Sequence, residues 1–436
     1  MHRFFKYGIF ELLFVTVVFF FFFISPGIAI DKNTYKNLKT FNEILNMVEK
    51  NYVEDVKQQD LINGAISGMM KTLDPHSAFM TADEYKDLEV ETKGSFGGIG
   101  IEITILKDVL TVVSPIEDTP AFHADVQSGD QIIKIDGQPT KDLSIREAVK
   151  KLRGAKDTKV TITIMRENLP KPKDITLTRS IIKIASVRSR LLDDSIAYCR
   201  IANFQEKTAE DLRRAIKELS TKEKPLKGII LDLRNNPGGL LNQAVGVADV
   251  FLQSGVIVST KGRSGAMNTI IAASNDGNEP SCPIVVLVNE GSASASEIVA
   301  GALSDNGRAV LLGTKTFGKG SVQTLIPLED GALKLTTAQY YTPSGKSIQA
   351  EGIVPDITVK YIRPASDTEN EPEAIREKDL KGHIKSEKEN EAKPKGAASP
   401  QTKKEKEKVD FVLDNQIKAA LDMLKGWDIF MKGKSN

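Results

Sequence analysis

The stretch that decides the fold is NEGSASASEIVAGALSD, from Asn289 to Asp305. It follows CPIVVLV, an apolar run with the length of a buried strand, and it leads into apolar residues at helical spacing. Three serines occupy alternate positions at this junction, namely Ser292, Ser294 and Ser296. A helix that begins near Ser294 would place its hydroxyl beside the free N–H groups of the first turn. This geometry suits the nucleophile of an acyl transfer, because those N–H groups can stabilise an oxyanion.

The same stretch also fits an ordinary helix N-terminus. Ser294 followed by Glu297 has the spacing of a capping box, in which the two residues satisfy each other's backbone N–H groups. Serine and alanine are also common in tight strand-to-helix turns. The stretch alone therefore leaves a purely structural role open for all three serines.

A nucleophilic serine needs a base, and histidine is the usual one. His76 falls in a predicted helical segment and His123 in a strand-rich segment, whereas His2 and His383 lie in a predicted signal and a predicted linker. None of the four lies in the segment that carries the serines. A Ser-His-Asp arrangement is therefore disfavoured, and the structural interpretation of His76 and His123 is an ordinary loop or capping role.

Lysine is the alternative base, and GTKTFGKGSVQTLIPL offers Lys319 between two glycines. The following residues have a strand-like pattern, which would place Lys319 and Gln323 on one face. To act near neutral pH, the lysine must lose its proton, so burial must lower its pKa from about 10.4. A solvent-exposed Gly-Lys-Gly turn is the structural alternative.

GTKTFGKG also nearly matches the phosphate-binding loop of nucleotide hydrolases. That loop requires a hydroxyl residue where this sequence has Gly320, and it opens a helix, whereas a strand-like run follows here. Nucleotide binding is therefore disfavoured. A third stretch, LDLRNNPGGLLNQAV, places Gly238 and Gly239 between a predicted strand and helix, where paired glycines can bring backbone N–H groups close to a ligand oxygen.

Composition limits the class of protein. The 59 basic and 58 acidic residues nearly cancel, so no charge surplus indicates a nucleic-acid partner. Residues 1–30 have the basic start, apolar run and small residues of an export signal, although residues 7–24 approach the length of a membrane anchor. Cys199 and Cys282 lie in strand-like segments, where one disulfide or two buried thiols are both open. No cysteine or histidine spacing typical of a metal site occurs.

Periodicity divides the chain into successive segments and predicts a multidomain α/β protein. A helical arm is followed by a module of short strands, and then by alternating strands and helices that favour a parallel sheet. The next residues are too polar to order themselves, and a short amphipathic helix ends the sequence. The predicted segments are the arm at 31–93, the strand-rich module at 94–182, the core at 183–363, a charged disordered linker at 364–408 and the final helix at 409–436.

NEGSASASE, FGKGSVQ and LDLRNNPGG together resemble the C-terminal processing, or tail-specific, proteases. The similarity runs from about residue 35 to 360 and includes DPHS, FGGIGIEI and YYTPSGKSIQAEGIVPD. The resemblance implies an export signal, a helical arm and a β-rich PDZ domain inserted before a crotonase-like α/β protease core. It also implies a Ser-Lys catalytic pair that requires no metal or other cofactor.

Carried over residue by residue, the resemblance makes Ser294 the nucleophile, Lys319 the general base and Gln323 the amide that orients the base. The oxyanion donors would be the backbone N–H groups of Ala295 and Gly239. Ser292 and Ser296 would then be turn and helix residues.

The strand-rich module resembles the PDZ domain of this family. The successive N–H groups of Gly97, Gly98, Ile99 and Gly100 could hold a terminal carboxylate, and the next strand could pair with the peptide. Arg166 matches an arginine that the resemblance associates with sensing the bound tail; an exposed strand-end charge is the structural alternative.

The sequence departs from the family pattern at one loop of this module. Asp125 stands where the family commonly has glycine, and His123 is nearby.

These features predict an exported serine endopeptidase that captures apolar C-terminal tails, in the periplasm or on the outer face of the cytoplasmic membrane. An adaptor protein and self-association into a homo-oligomer are further expected partners. The alternative is a catalytically inert PDZ adaptor or scaffold in the cell envelope.

Overall fold

The structure is a computed structural model that describes residues 32–362 except positions 168, 194, 222, 223, 264 and 266, together with residues 375–385 and 414–434. The predicted signal or anchor at 1–30 and most of the predicted linker lie outside these ranges. Within the described residues, no helix is long and apolar enough to cross a membrane.

The chain divides into two compact units, residues 1–69 and 70–436. The described part of the first contains helix α1 (Lys32–Asn51) and most of α2 (Gln58–Lys71). Helix α1 buries none of its residues. Its exposed large apolar side chains follow one another at a spacing of three, and they are Tyr35, Leu38, Phe41, Ile44 and Met47.

The second unit begins with a short strand and a capped helix that lead into the strand-rich domain. Thr81 and Glu84 form the capping box of this helix, as their spacing predicts. The elements are β1 (Ala78–Thr81), α3 (Ala82–Lys93) and β2 (Ser95–Gly98).

The strand-rich domain is a six-stranded antiparallel sheet with two helices. Its strands are ordered β3-β4-β5-β7-β8, with β6 paired to β5. Alternate side chains of β7 and β8 point into a separate apolar core, which explains their period-two pattern. The elements are β3 (Ile101–Leu106), β4 (Val109–Pro115), α4 (Pro120–His123), β5 (Gln131–Ile135), β6 (Gln138–Pro139), α5 (Ile145–Leu152), β7 (Lys159–Met165) and β8 (Lys173–Thr178).

After β9 (Ser180–Lys183), which pairs with β2 where the chain leaves this domain, the α/β core begins. Its elements are β10 (Val187–Leu192), β11 (Ile196–Ile201), α6 (Thr208–Leu219), β12 (Gly228–Asp232), α7 (Leu241–Asp249), β13 (Val256–Gly262), β14 (Thr269–Ala272), β15 (Ile284–Val288), α8 (Ala295–Asp305), β16 (Val310–Gly313), β17 (Ser321–Leu328), β18 (Gly331–Tyr341) and β19 (Ile357–Thr358). A 3₁₀ helix (Glu377–Asp379) and α9 (Asn415–Lys434) follow.

Two sheets build the core. The first has the order β10-β11-β12-β15-β16-β19 and is parallel from β11 onward. Every residue of β12 and β15 is buried, because helices cover both faces of this sheet. The second sheet has the order β1-β18-β13-β14, with β17 paired to β18.

Helix α9 docks within the chain. Its buried residues Ile417, Ala420 and Leu424 pack on the face of the parallel sheet opposite α7 and α8. The sequence predicts an amphipathic helix here without identifying its partner, and an uncovered apolar face of this kind can promote self-association. In the structure that face covers the core, so it no longer supports self-association.

Candidate active site

The three serines in the turn after β15 differ in their hydrogen bonds and in their burial. The Ser292 hydroxyl donates to the carbonyl oxygen of Leu233 at 2.8 Å, and the Ser296 hydroxyl donates to that of Asn236 at 2.9 Å. Both side chains are fully buried, whereas Ser294 is half-buried. The two outer serines therefore anchor the turn to the residues that follow β12, whereas the side chain of Ser294 stays partly exposed.

The backbone of Ser294 is strained. Its φ of 54° and ψ of −112° lie where non-glycine residues are rare, a conformation that costs about 1–3 kcal/mol. Gly238 lies against it, and a side chain at position 238 would bring its Cβ within 2.8 Å of the Ser294 Cβ. The glycine at 238 is therefore required by the close approach of these two turns.

Glu297 joins the serine turn to the loop that carries Lys319. Its Oε2 accepts the backbone N–H groups of Ser294 at 2.8 Å and of Lys319 at 2.9 Å. Its Oε1 accepts the Thr316 hydroxyl at 2.5 Å and the N–H of Gly318 at 2.8 Å. Two residues 25 positions apart in sequence thus share one carboxylate oxygen.

Burial raises the pKa of Glu297 to about 7, and the four donors act in the opposite direction. The capping-box spacing predicts the bond to Ser294. It does not predict the bonds to residues 316–319, because those depend on tertiary packing that no local spacing encodes.

Lys319 lies in a loop, which differs from the prediction. Strand β17 begins two residues later at Ser321, and a β-bulge separates Val322 from Gln323. A shared strand face therefore does not relate Lys319 to Gln323. The pKa of Lys319 is lowered, first by burial and then by the neighbouring charge of Lys334, while three carboxylates oppose the shift.

The amide of Gln323 is anchored to two hydroxyls. Its Nε2 donates to Ser321 Oγ at 2.9 Å and to Thr336 Oγ1 at 3.3 Å. The Thr336 N–H in turn donates to Ser77 Oγ at 3.1 Å, and Ser77 Oγ donates to Asp74 at 2.7 Å. The DPHS stretch thus reaches the glutamine through a short hydrogen-bonded chain.

The two glycines after β12 have different surroundings. The N–H of Gly238 donates to Asn236 Oδ1 at 2.9 Å, so it is already used. Gly239 adopts a φ of 139° and packs its α-carbon against the backbone of Phe204. Ala295 is the first residue of α8, where backbone N–H groups lack partners within the helix. These positions are compatible with Gly239 and Ala295 as the oxyanion donors.

The turn after β12 is held by buried charges. Arg234 binds Asp232 through Nε at 2.9 Å and Nη2 at 2.7 Å, and its Nη1 lies 2.9 Å from Asp414, next to helix α9. The hydrogen bonds from Arg234 lower the pKa of Asp232 against the effect of burial. This contact links the C-terminal helix to the Gly238–Gly239 turn, and no local sequence pattern predicts it.

The two histidines considered as possible bases, His76 and His123, have other partners. His76 Nε2 lies 2.8 Å from each carboxylate oxygen of Glu377, and the largely exposed His123 is 4.0 Å from Asp118. Both cysteines are free thiols, and burial raises the pKa of Cys199 to about 12.

A groove opens between β3 and α5 of the strand-rich domain. Its cavity holds about 70 Å³, and most of the side chains that line it are apolar. The predicted residues Gly98, Ile99 and Gly100 line it, but Gly97 does not. Gly97 lies in β2, where its α-carbon packs against Gly154. The lining residues are Phe96, Gly98, Ile99, Gly100, Ile101, Ile103, Val149, Leu152 and Arg153.

Arg166 is neither exposed nor unpaired. It binds the fully buried Asp130 through Nε at 2.6 Å and Nη2 at 2.8 Å, and Nη2 also donates to the carbonyl oxygen of Asp125 at 2.7 Å. The interpretation of Arg166 as an exposed strand-end charge is therefore wrong. Asp125 has a φ of 59°, the left-handed conformation that glycine favours, and its carboxylate lies 3.5 Å from Arg166.

We expect Arg166→Ala to destabilise the strand-rich domain by about 3 kcal/mol, because it leaves the buried Asp130 carboxylate without its guanidinium. Urea unfolding of the full chain measures this change. The matched control is Lys134→Ala on the exposed face of β5, which should change little. An Arg166→Ala curve that overlays the wild-type curve would contradict the structural role.

Comparisons with known proteins define the family. Residues 195–359 match Peptidase family S41, residues 97–177 match the PDZ domain, and residues 27–84 match the activating protease CtpB N-terminal domain. A carboxy-terminal-processing protease from Bartonella bacilliformis is 48% identical over 402 residues, covering 91% of this chain and 90% of the relative. A carboxyl-terminal-processing protease from Synechocystis is 39% identical, covering 72% and 74%.

Among solved structures, a photosystem II D1 C-terminal processing protease is 31% identical, with a TM-score of 0.43, covering 76% of this chain and 89% of that one. The chain belongs to the carboxyl-terminal-processing proteases of peptidase family S41, and it is a serine-type peptidase with a PDZ domain. The predicted family and fold class are thereby confirmed.

Proposed function

We propose that this protein is an exported endopeptidase that cleaves by a Ser-Lys mechanism. Ser294 Oγ attacks the peptide carbonyl carbon while neutral Lys319 takes the hydroxyl proton. The lysine then returns that proton to the leaving amine, which departs as the C–N bond breaks. Water next attacks the acyl ester, Lys319 accepts a proton from the water, and Ser294 recovers it when the acid is released.

The observation that carries this proposal is the shared carboxylate oxygen of Glu297, which brings the backbones of Ser294 and Lys319 to one point. Two further features support it. Ser294 is the one of the three serines that is not fully buried. Burial lowers the pKa of Lys319, as a base requires.

Three other residues complete the proposed site. The N–H groups of Gly239 and Ala295 stabilise the oxyanion, which agrees with their positions at the two facing turns. Gln323 orients the lysine, and the bonds of its amide to Ser321 and Thr336 hold it in place for that role.

The PDZ groove captures the substrate. Its lining of isoleucine, valine and leucine suits an apolar side chain at a C-terminus, and the edge of β3 suits pairing with an extended peptide. In this proposal Gly98, Ile99 and Gly100 hold the terminal carboxylate. Arg166 holds the neighbouring loop through Asp125 and Asp130, and we propose that it senses the bound tail from that position.

Residues 1–30 support export, with residues 7–24 as either a cleaved signal core or a retained anchor. The site of action is then the periplasm or the outer face of the cytoplasmic membrane. Self-association is proposed through the exposed apolar residues of α1, since α9 is used within the chain. We also propose that an adaptor protein delivers substrates to this protease.

Digestion of one poorly folded reporter with an apolar or a doubly acidic C-terminal tail tests the function. Wild type should cleave the apolar-tailed reporter at least ~10-fold faster, because an acidic tail cannot enter an apolar groove without losing hydration. Ser294→Ala should cleave neither. Equal cleavage of both tails would refute tail capture, and cleavage by Ser294→Ala would refute the nucleophile. A chain that is inactive on both reporters would favour the scaffold alternative.

A further inference from the structure

Residues 375–385, here called the strap, lie against the loop that carries Lys319. Arg376 Nη1 donates to the carbonyl oxygens of Lys315 at 3.3 Å and Thr316 at 3.2 Å. The N–H of Glu377 donates to the carbonyl oxygen of Phe317 at 3.2 Å. Three consecutive carbonyls just before Lys319 are therefore bound by one short segment. The composition of 364–408 predicts disorder, and that expectation does not hold for this part of it.

A second contact reaches the other side of Lys319. The buried Gln349 accepts the N–H of Gly320 at 2.9 Å through its Oε1. Its Nε2 donates to Glu377 Oε1 at 3.0 Å and to the carbonyl oxygen of Ile384 at 2.9 Å. The strap thus holds the loop directly before Lys319 and, through one amide, directly after it.

A buried contact between His76 and Glu377 fixes the strap in place. The Glu377 carboxylate is fully buried, and the Nε2 of His76 lies 2.8 Å from both of its oxygens. His76 belongs to the DPHS turn, whose Ser77 bonds to Thr336 beside Gln323. A buried carboxylate is costly without partners, so Glu377 stays buried only while His76 and Gln349 satisfy it.

We propose that the strap positions the catalytic base. Glu377, locked by His76 and Gln349, holds residues 315–320 in the arrangement that presents Lys319 to Ser294. This inference rests on the proposed Ser-Lys mechanism and adds to it a segment that lies beyond the residues matching Peptidase family S41, which end at 359. Glu377 acts here through the loop, so it is a positioning residue.

Charge at the strap gives the proposal a second signature. The charged groups that act on Lys319 are Lys334, which lowers the pKa of the lysine, and Glu377, Glu297 and Asp74, which raise it. Removing the negative charge of Glu377 should therefore lower the pKa of Lys319 further. The rise of activity with pH should then begin at a lower pH, an effect that a merely structural contact would not produce.

The test compares Glu377→Ala, Glu377→Gln and His76→Ala with the wild type. The control is Glu329→Gln, an equivalent change at an exposed position in the turn between β17 and β18. Hydrogen exchange of the peptide that covers 315–320 is measured in the full chain on a Ser294→Ala background, which prevents self-cleavage. Values of kcat and KM, and the pH profile of kcat, are measured on the active forms.

We expect Glu377→Ala and His76→Ala to speed exchange in 315–320 at least ~10-fold, because the loop loses its outer hydrogen bonds. Their kcat should fall ~10²-fold, because a displacement of a catalytic group by about 1 Å can cost this much, and KM should stay nearly unchanged. Glu377→Gln keeps the shape and should recover most of kcat, with its pH profile moved to lower pH. Glu329→Gln should match the wild type.

Unchanged exchange and kcat in Glu377→Ala would overturn the proposal, and a rise in kcat would also overturn it, because the strap would then be inhibitory. If Glu377→Ala and His76→Ala fail to fold, the pH profile of Glu377→Gln decides, and a profile that overlays the wild-type profile would overturn the proposal. Failure of the Ser-Lys mechanism is distinguishable, because it appears as cleavage by Ser294→Ala, whereas the exchange result reports on the strap alone.

Discussion

Replacing Lys319 with methionine is expected to lower kcat at least ~10⁴-fold while the protein remains folded. Removal of one member of a catalytic set costs about this much in serine proteases. Methionine has a similar length and suits a largely buried position. The decrease is measured with a quenched fluorescent peptide at saturating concentration, with circular dichroism as the test of folding.

The matched control is Lys315→Met, four residues earlier on the same loop, which should retain activity within about threefold. The pH profile gives an independent check. Because burial lowers the pKa of Lys319 and its neutral form is the base, activity should rise with pH through that pKa and then level off. Activity retained by Lys319→Met, or a flat profile with chemistry rate-limiting, would contradict lysine as the base.

Glu297→Ala is expected to have the second largest effect, a ~10²- to 10³-fold loss of kcat. Its carboxylate accepts four donors, including the N–H groups of Ser294 and Lys319, and the alanine variant leaves the backbone donors unsatisfied. A displacement of the two reacting groups by about 1 Å suffices for a ~10²-fold loss. Glu290→Ala is the control, since Glu290 accepts the Thr314 hydroxyl in the same region at 2.7 Å.

Glu297→Gln separates charge from shape. Its amide oxygen can still accept the N–H groups of Ser294 and Lys319, whereas the Gly318 N–H loses its acceptor. We therefore expect a loss of about 1–3 kcal/mol in the free energy of unfolding and a smaller loss of kcat than in Glu297→Ala. Wild-type kcat in Glu297→Ala would show that the shared carboxylate does not align the site.

The same residue predicts a pH dependence of stability. Burial raises the folded-state pKa of Glu297 to about 7 from its ordinary 4.5, so the folded form holds its proton more tightly. Its contribution is complete below pH 4.5 and is lost as the pH rises to about 7. The free energy of unfolding of the wild type, relative to Glu297→Gln, should therefore decrease across that interval in urea titrations. A constant difference would contradict the raised pKa.

Local sequence patterns predict those strands and helices whose apolar residues recur at a regular spacing. The apolar run before Asn289 and the spacing after Ser294 predict strand β15 and helix α8, and both occur. The pattern gives Ser294 the capping-box spacing to Glu297, but it does not show which of the three side chains is left partly exposed. Their difference arises from bonds to Leu233 and Asn236, about sixty residues earlier in the chain.

The strap shows the same limit more strongly. The charged composition around Glu377 indicates disorder, since composition reports only how much apolar surface a segment can bury. The burial of Glu377 depends instead on His76, 301 residues away in sequence. Likewise, alternating residues predict a strand near Lys319, but the strand starts only at Ser321, which leaves the lysine in a loop.

In the proposed mechanism, Ser294 is the nucleophile and Lys319 activates it. Labelling with a serine-reactive fluorophosphonate, followed by peptide mass spectrometry, tests both roles in one experiment. We expect one adduct on Ser294 in the wild type and in Ser296→Ala, no adduct in Ser294→Ala, and much slower labelling in Lys319→Met. An adduct on another serine, or equal labelling of the wild type and Ser294→Ala, would contradict it.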